Sequence, residues 1–550
     1  MNANTFKITF NGQTKEYDHK VKILDLIEGD RHQYINASVN NRLRELNYEV
    51  FYDCEIEFFT KKDYLAIKTY ETSLRYIIAM ACSIAFPEHR IKFSYNISRS
   101  IFISFLGDVK SFTSDDLDLL DKTIKDIISK DYPLVRKIYS NEEAEKIYHE
   151  RGFLDKIEIL KYRPEKTVHF YECNGYLNYM YGHMVPSTGH ISDYKLRIFG
   201  KGILVQYPRS EEGGKIPPFE DAPVYGKTLK ESYLWAKLVK SDSIASINKH
   251  VEKDGAIDFI NLCEQHHNNM LAELGNKIKA NSDEIKLICI AGPSSSGKTT
   301  FANRLRIELL SIGIKTTRIS IDDYYIDKDK TPLGDDGKPD LECLEALDVE
   351  LFNKNMLDLI NGKQITLPHF DFQLGKRVPG RTIKLEEDEI IIIEGIHALN
   401  EKLTSLIAKH QKFKIFIAPQ AQINIDNHTP ISLTDLRLLR RIVRDYQFRN
   451  SSAEETMEMW PSVRKGEFKW IYKTQENADF VFNSLLPYEM CVMKIYAMPL
   501  LKKIDDNSPH FPLANRLIKF LKFFVDLDSK WVPCNSILRE FVGDSCFKDV

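Results

Sequence analysis

Apolar and polar positions alternate at the start of the chain, with Phe6, Ile8 and Phe10 set against polar neighbours, followed by Asn11-Gly12 and then Lys15 to Tyr17. A period of two interrupted by Asn-Gly predicts a β-hairpin. A short helix around Ile23 to Ile27, a strand and turn over Tyr34 to Leu46, and a strand over Glu55 to Phe59 complete a small β-rich module. The period then changes: Leu74, Ile77, Ile78, Ala81 and Ile84 recur at helical spacing between Ser73 and Phe86. Strands at Ile91 to Tyr95 and Ile101 to Phe105, charged helices, and a Gly- and Pro-bearing stretch from Gly182 to Pro217 give a second, α+β domain. Lys227 to Lys279 reads as mostly helical, and Asn281-Ser282-Asp283 is a polar break.

Beyond that break the pattern is α/β. Ile285 to Ala291 is a continuous apolar run, as in a buried parallel strand, and it leads directly into Gly292-Pro293-Ser294-Ser295-Ser296-Gly297-Lys298-Thr299. Phe301, Leu305 and Leu309 then mark one face of a helix. Further strands are expected at Thr316 to Ile321, Ile390 to Ile393 and Phe413 to Ile417. An arginine-rich helical stretch carries Arg437, Arg440, Arg441, Arg444 and Arg449. The chain ends with an apolar helix, Leu517 to Phe524, and a segment from Val532 to Phe541 to which no chemistry attaches.

Composition narrows the class only modestly. At 550 residues, the chain is long enough for three or four domains. Its 43% hydrophobic and 28% charged residues are those of a folded globular protein, and a net charge of -3 provides no global attraction to polyanions. Nine scattered cysteines with no CxxC pair fit a reducing compartment. No secretory signal is read in Met1 to Tyr17, and the longest apolar run, Tyr76 to Phe86, is too short for a bilayer, so a cytoplasmic location without a membrane partner is expected.

The chemistry is read from the strand, glycine loop and helix in succession. Backbone amides of the loop and the helix N-terminus converge on phosphate, so Gly292, Pro293, Ser294, Ser295, Ser296, Gly297, Lys298, Thr299 and Thr300 are expected to hold ATP. Lys298 would serve the β and γ phosphates, and the Thr299 hydroxyl a magnesium ion. The carboxyl ends of strands are where open α/β sheets place their ligands. Asp322 is therefore the expected base for an attacking hydroxyl, with Asp323 the second choice, and Glu394 the expected acidic group toward Mg2+. An Asp in such a place can also simply cap a helix, and Glu394 can simply end a buried strand. Arg437, Arg441 and Arg444 share one helical face and are expected to form a lid over the phosphates, rather than a solvated salt-bridged surface. Cys263, His266 and His267 lie on a helical stretch without a second ligand pair, and packing is the expected role.

These segments resemble the uridine kinase and phosphoribulokinase family over roughly residues 285–500. The resemblance is carried by GPSSSGKTT, SIDDYY from Ser320, LEALD ending at Asp348, LPHFDF from Leu367 to Phe372, IIIEGIHALN from Ile391 and RRIVRD from Arg440, in the family's order. It implies an ATP- and Mg2+-dependent transfer to a nucleoside-like small molecule, uridine by default. Asp322 would be the base, Tyr325 and Asp348 would lie on the nucleoside side, and Phe370 would flank the base ring. Arg441, Arg444 and Arg449 would belong to the lid. Gly375 stands where uridine-cytidine kinases carry a histidine facing the pyrimidine, and Ser451 where they carry another arginine, which leaves other nucleosides or alcohols open as acceptors.

The first 225 or so residues resemble the amino-terminal half of threonyl-tRNA synthetase, a TGS-like β-grasp module and then an editing-like domain. Ile35 to Leu43, Thr72 to Ala81, and Met184 to Gly189 with Lys195 to Pro208 carry the likeness. The editing ligands do not carry over: Thr72, Tyr76, Met180 and Met184 occupy their positions and His183 is displaced by one, so no metal-dependent hydrolysis is expected. RNA contact by this half, a nucleotide-sensing role and homo-oligomer formation all stay open. The expected organisation is a TGS-like module (1–62), an editing-like domain (63–225), a helical connector (226–284), a P-loop kinase domain with a mainly parallel sheet (285–500) and a helical tail (501–550).

Overall fold

The computed structural model describes residues 5–252, 255–334, 337, 339–371, 374–420 and 422–548. The opening hairpin pairs Phe6–Phe10 with Gln13–Tyr17, and Asn11 and Gly12 adopt the positive φ values, 49° and 73°, that a tight two-residue turn demands. Phe6–Phe10 is also parallel to Cys54–Thr60, which pairs in turn with Tyr34–Val39 and, beyond it, Arg42–Arg44. The inward residues Ile8, Ala37, Val39 and Ile56 fill the core of this five-stranded sheet.

The next helix, Tyr64–Ala85, begins nine residues before the apolar period does. Its first turns bury polar side chains that are hydrogen-bonded within the protein: Thr69 Oγ1 accepts from Asn36 Nδ2 of the Tyr34–Val39 strand at 2.8 Å, and Thr72 Oγ1 donates to the Lys68 carbonyl at 2.8 Å. A period of apolar residues cannot register a face built this way. The helix packs on a four-stranded antiparallel sheet, and a separate three-stranded sheet lies between Val135 and Tyr179.

The third unit is a five-stranded, wholly parallel sheet in the order Thr316–Ser320, Ile390–Glu394, Leu287–Ala291, Lys412–Ala418, Phe480–Asn483. Leu287 to Ala291 and Ile390 to Ile393 are buried on both faces, which explains their unbroken apolar runs. Helices Ala256–Lys279 and Phe511–Leu521 join its core cluster, so the connector and the tail are built into this unit.

The first and second halves interlock through a hairpin around Asn427. Phe93 donates its amide to the Asn427 carbonyl at 2.8 Å, Arg75 donates to the His428 carbonyl, and Lys156 pairs with Asp426 at 3.1 Å with both groups buried. Among the described residues no helix is long and apolar enough to cross a membrane.

Candidate active site

The Leu287–Ala291 strand ends at the centre of the parallel sheet, and the loop that follows wraps back to the helix Lys298–Ser311. Gly292 is required by contact: a Cβ there would lie 2.0 Å from the Ile417 carbonyl oxygen. Ser295 and Gly297 both take positive φ, 57° and 88°, which turns successive amides inward. Lys298 Nζ donates to the Gly292 and Pro293 carbonyls at 3.0 and 3.2 Å, folded over the loop. The hydroxyls of Ser295, Ser296 and Thr300 are buried with no protein partner among the described residues. An anion-shaped backbone with unmet hydroxyl donors and a lysine fits a nucleotide phosphate, and Thr299 and Glu394 offer the oxygen ligands that Mg2+ takes.

The structure gathers the expected carboxylates around that lysine. Burial lowers the Lys298 pKa, while Glu394 and Asp322 pull it the other way. Burial pushes Glu394 up to about 7, with Asp322 adding repulsion and Arg318 and Lys298 opposing. The Asp322 carboxyl is likewise raised by burial and drawn down by Lys298 and Arg449.

The strand expected over Thr316 to Ile321 is one residue shorter, and the two aspartates follow it in a turn. The strand stops at Ser320, and Ile321–Tyr324 is a 3-10 turn, so Asp322 and Asp323 do not alternate across an extended strand. Their partners separate them instead. Asp323 Oδ1 lies 2.9 Å from His369 Nδ1 and accepts the Phe370 amide at 3.4 Å, while Asp322 faces Lys298 electrostatically.

Side chains expected on the acceptor side form one wall. Tyr325 and Phe370 are buried with ring centroids 5.6 Å apart. Asp348 accepts the Leu351 amide at 3.0 Å as a helix cap and, through its other oxygen, Arg377 Nη1 at 2.8 Å. Phe372, the last residue of the LPHFDF segment, lies outside the described residues. Gly375 has φ 64°, and its carbonyl accepts the Lys328 amide at 2.9 Å.

The expected arginine lid is a packed wall. Helix Leu433–Phe448 buries Leu436, Leu438, Leu439, Ile442 and Val443, so it cannot lift away without exposing core. Arg437 is held by Glu467 and donates to the Ser294 carbonyl at 3.0 Å, and Arg440 is paired with Glu489 at 2.5 Å. Arg441 donates to Ser294 Oγ at 2.8 Å. Asp445 ties together Arg441, Arg444 and Arg449, at 3.1, 2.7 and 3.7 Å.

Three acids at this site carried no readable signal in the sequence. Glu467 Oε1 accepts the Ser294 amide at 3.1 Å, and Glu540 Oε2, from the tail, accepts the Thr300 amide at 2.9 Å. Glu342 sits near Arg441 and Lys298, with burial pushing its carboxyl up to about 7. Each is brought in by tertiary packing from a segment with no phosphate motif.

The remaining sequence candidates are packed. His266 stacks on Trp235 at 4.0 Å between centroids, His267 Nε2 lies 3.1 Å from the Leu485 carbonyl, and Cys263 is buried. Thr72 bonds its own helix, and Tyr76 donates to the Tyr171 and Tyr176 carbonyls at 3.0 and 2.8 Å. Met180 and Met184 are core residues. A group of metal-capable side chains does converge elsewhere in that half: ligand atoms of His32, Asp131 and His190 lie within 4.8 Å of one another.

Comparison with known proteins follows the same division. The phosphoribulokinase / uridine kinase family profile matches residues 287–489. A uridine kinase of Macrococcus caseolyticus is 32% identical over 197 residues, which are 36% of this chain and 86% of that protein. The first half is similar to threonine–tRNA ligases; that of Alkalilimnicola ehrlichii is 27% identical over 192 residues, 34% of this chain and 30% of the ligase. The chain thus spans less than a third of that ligase's length. A solved structure of a possible uridine kinase from Bacillus stearothermophilus aligns over 39% of this chain and 98% of its own, with 22% identity and a TM-score of 0.25.

Proposed function

Because this chain belongs to the phosphoribulokinase / uridine kinase family, we propose that it transfers the γ-phosphoryl group of ATP to the 5′-hydroxyl of a nucleoside, with uridine the first acceptor to test. The observation that carries this reading is the separation of the two neighbouring aspartates. Asp323 is engaged by His369 and the Phe370 amide, which leaves Asp322 beside Lys298 and Glu394 to accept a proton.

In this reading the loop amides and Lys298 hold the phosphates and stabilise charge moving toward the leaving oxygen. Magnesium, when bound through Thr299 and Glu394, supplies further neutralisation of phosphate charge. Asp322 aligns the acceptor hydroxyl and takes its proton late, as the loose transition state of phosphoryl transfer requires. Tyr325 and Phe370 supply an apolar wall against a flat ring, and Asp348 with Arg377 supplies polar contacts beside it. Arg441 and Arg444, anchored by Asp445, add positive charge next to the loop.

A second acceptor class, another nucleoside or small alcohol, is favoured by Gly375, which presents no imidazole where the resemblance expects one. Incubating the protein with ATP, Mg2+ and a panel of nucleosides and alcohols, and reading the products by mass spectrometry, separates the two. Product with no alcohol in the panel, alongside saturable ATP binding, would favour a nucleotide-sensing role instead.

A further inference from the structure

A cavity of about 350 Å³ lies where the two halves of the molecule meet, away from the phosphate loop. It is lined by the strand bearing Arg42 and Arg44, the Tyr64–Ala85 helix, the strands of the second domain, the start of the arginine helix at Asp435, and the tail helix Phe511–Leu521. Nine lysines and arginines face it against three carboxylates.

Those carboxylates are already engaged. Glu71 lies 3.5 Å from Lys68 and 3.6 Å from Arg75, Asp435 accepts from Arg516 at 2.9 Å, and Glu165 is 3.9 Å from both Arg163 and Lys522. At the end formed by Arg44, Arg136 and Lys519, Glu165 acts on Lys519, and the further acid beside Arg136 is Glu45. One of its oxygens accepts both the Tyr171 hydroxyl and the Met184 amide, and burial raises its pKa. Arg44 Nε and His169 Nδ1 are buried without a hydrogen-bond partner among the described residues.

The same cations act on the two histidines that line the cavity. Burial, then Lys519, Arg136 and Arg44, depress His183 to about 3; burial, then Arg136, Arg163 and Lys519, depress His169 to about 4. Arg44 is half-buried while Arg136 and Lys519 reach water, and like charges brought together from three separate segments repel one another unless an anion sits among them. The cavity is of a size that holds small ligands. Thr72 and Met180 line it, where the threonyl-tRNA synthetase resemblance expects metal-binding side chains.

We propose that this cavity binds a small, multiply charged phosphate compound, with Arg44, Arg136 and Lys519 supplying the counter-charge. Asp435, in the first turn of the arginine helix, is tied across the cavity to Arg516 and to the Tyr64 hydroxyl at 3.3 Å. The cavity therefore borders the same helix whose later turns carry Arg441 and Arg444 to the phosphate loop.

The test uses the full chain carrying Lys298→Ala, so that the loop contributes little to anion binding. Pyrophosphate, a nucleoside monophosphate and a sugar monophosphate are titrated calorimetrically, and their relative affinities tell whether phosphate charge alone or an attached ring is read. The expected result is saturable binding of at least one of them, weakened by about tenfold or more when Arg136→Ala and Lys519→Ala are added. Arg136 is exposed, so its replacement leaves the packing intact, and Arg136→Ala alone gives a second reading should the combined variant melt early. No binding in the Lys298→Ala protein, or affinity unchanged by the substitutions, would overturn the proposal. So would binding of a short RNA that depends on these residues while none of the three small anions binds.

Discussion

Glu540 Oε2 accepts the backbone amide of Thr300 at 2.9 Å, which puts a carboxylate from the carboxyl-terminal tail on the first turn of the loop helix, where an anion is favoured. Ile537 of the same segment closes the other side, since a Cβ on Gly297 would lie 2.4 Å from its Cγ2. A nucleotide phosphate at this helix end has to compete with that carboxylate. Glu540→Gln should therefore bind ATP about threefold to tenfold more tightly, the effect of removing about 1 kcal/mol of helix-end charge. Calorimetric titration of ATP checks it; weaker binding would mean that Glu540 supports the loop.

Lys298 reaches over the loop onto the Gly292 and Pro293 carbonyls. Lys298→Ala should keep the fold, since the side chain carries no core packing, and lose turnover by roughly a hundredfold to a thousandfold, the magnitude of one such electrostatic contact. Near-normal turnover in a correctly folded variant would sink the assignment of the loop to phosphate.

For the two aspartates, Asp322→Asn should retain ATP and acceptor binding while turnover drops by roughly a hundredfold to ten-thousandfold, as for a positioned general base. Asp323→Asn should cost much less in turnover and act mainly on acceptor affinity, because it disturbs the contact to His369 and Phe370. Measuring turnover and binding with one acceptor separates them: equal losses, or a larger one at Asp323, would reverse the roles.

Glu342 gives a pH dependence. Burial raises its carboxyl from 4.5 to about 7, with Arg441 and Lys298 opposing. Between those values the folded protein keeps a proton that the unfolded chain has lost, so this group's contribution to stability falls as pH rises. Its size is on the order of 3 kcal/mol across that window. Glu342→Gln cannot ionise, so the variant should gain stability relative to wild type between pH 5 and pH 8, as read by urea unfolding of the protein without nucleotide. A difference between the two proteins that stays constant with pH would show that Glu342 titrates normally.

The sequence by itself determined the features that rest on local backbone geometry and period. The Asn11-Gly12 hairpin, the apolar parallel strands, and the loop from Gly292 to Thr299 with its helix follow from short-range sterics, because positive φ and a glycine without Cβ are needed at fixed places in the chain. Glu394 closes its strand and Asp322 lies in the turn just after another, positions that the apolar strand runs before them make readable. Tertiary structure alone decided which charges meet. Glu467, Glu540 and Glu342 come from distant segments, and nothing in their neighbouring residues marks them, because an ion pair or a capped amide depends on distance in space. It also decided that the arginine helix is a wall, since Arg437 and Arg440 find buried carboxylates at Glu467 and Glu489 that no helical period could announce. The polar first turns of the Tyr64–Ala85 helix were hidden likewise: their burial is stabilised by hydrogen bonds to partners far along the chain, and periodicity reads hydrophobicity alone.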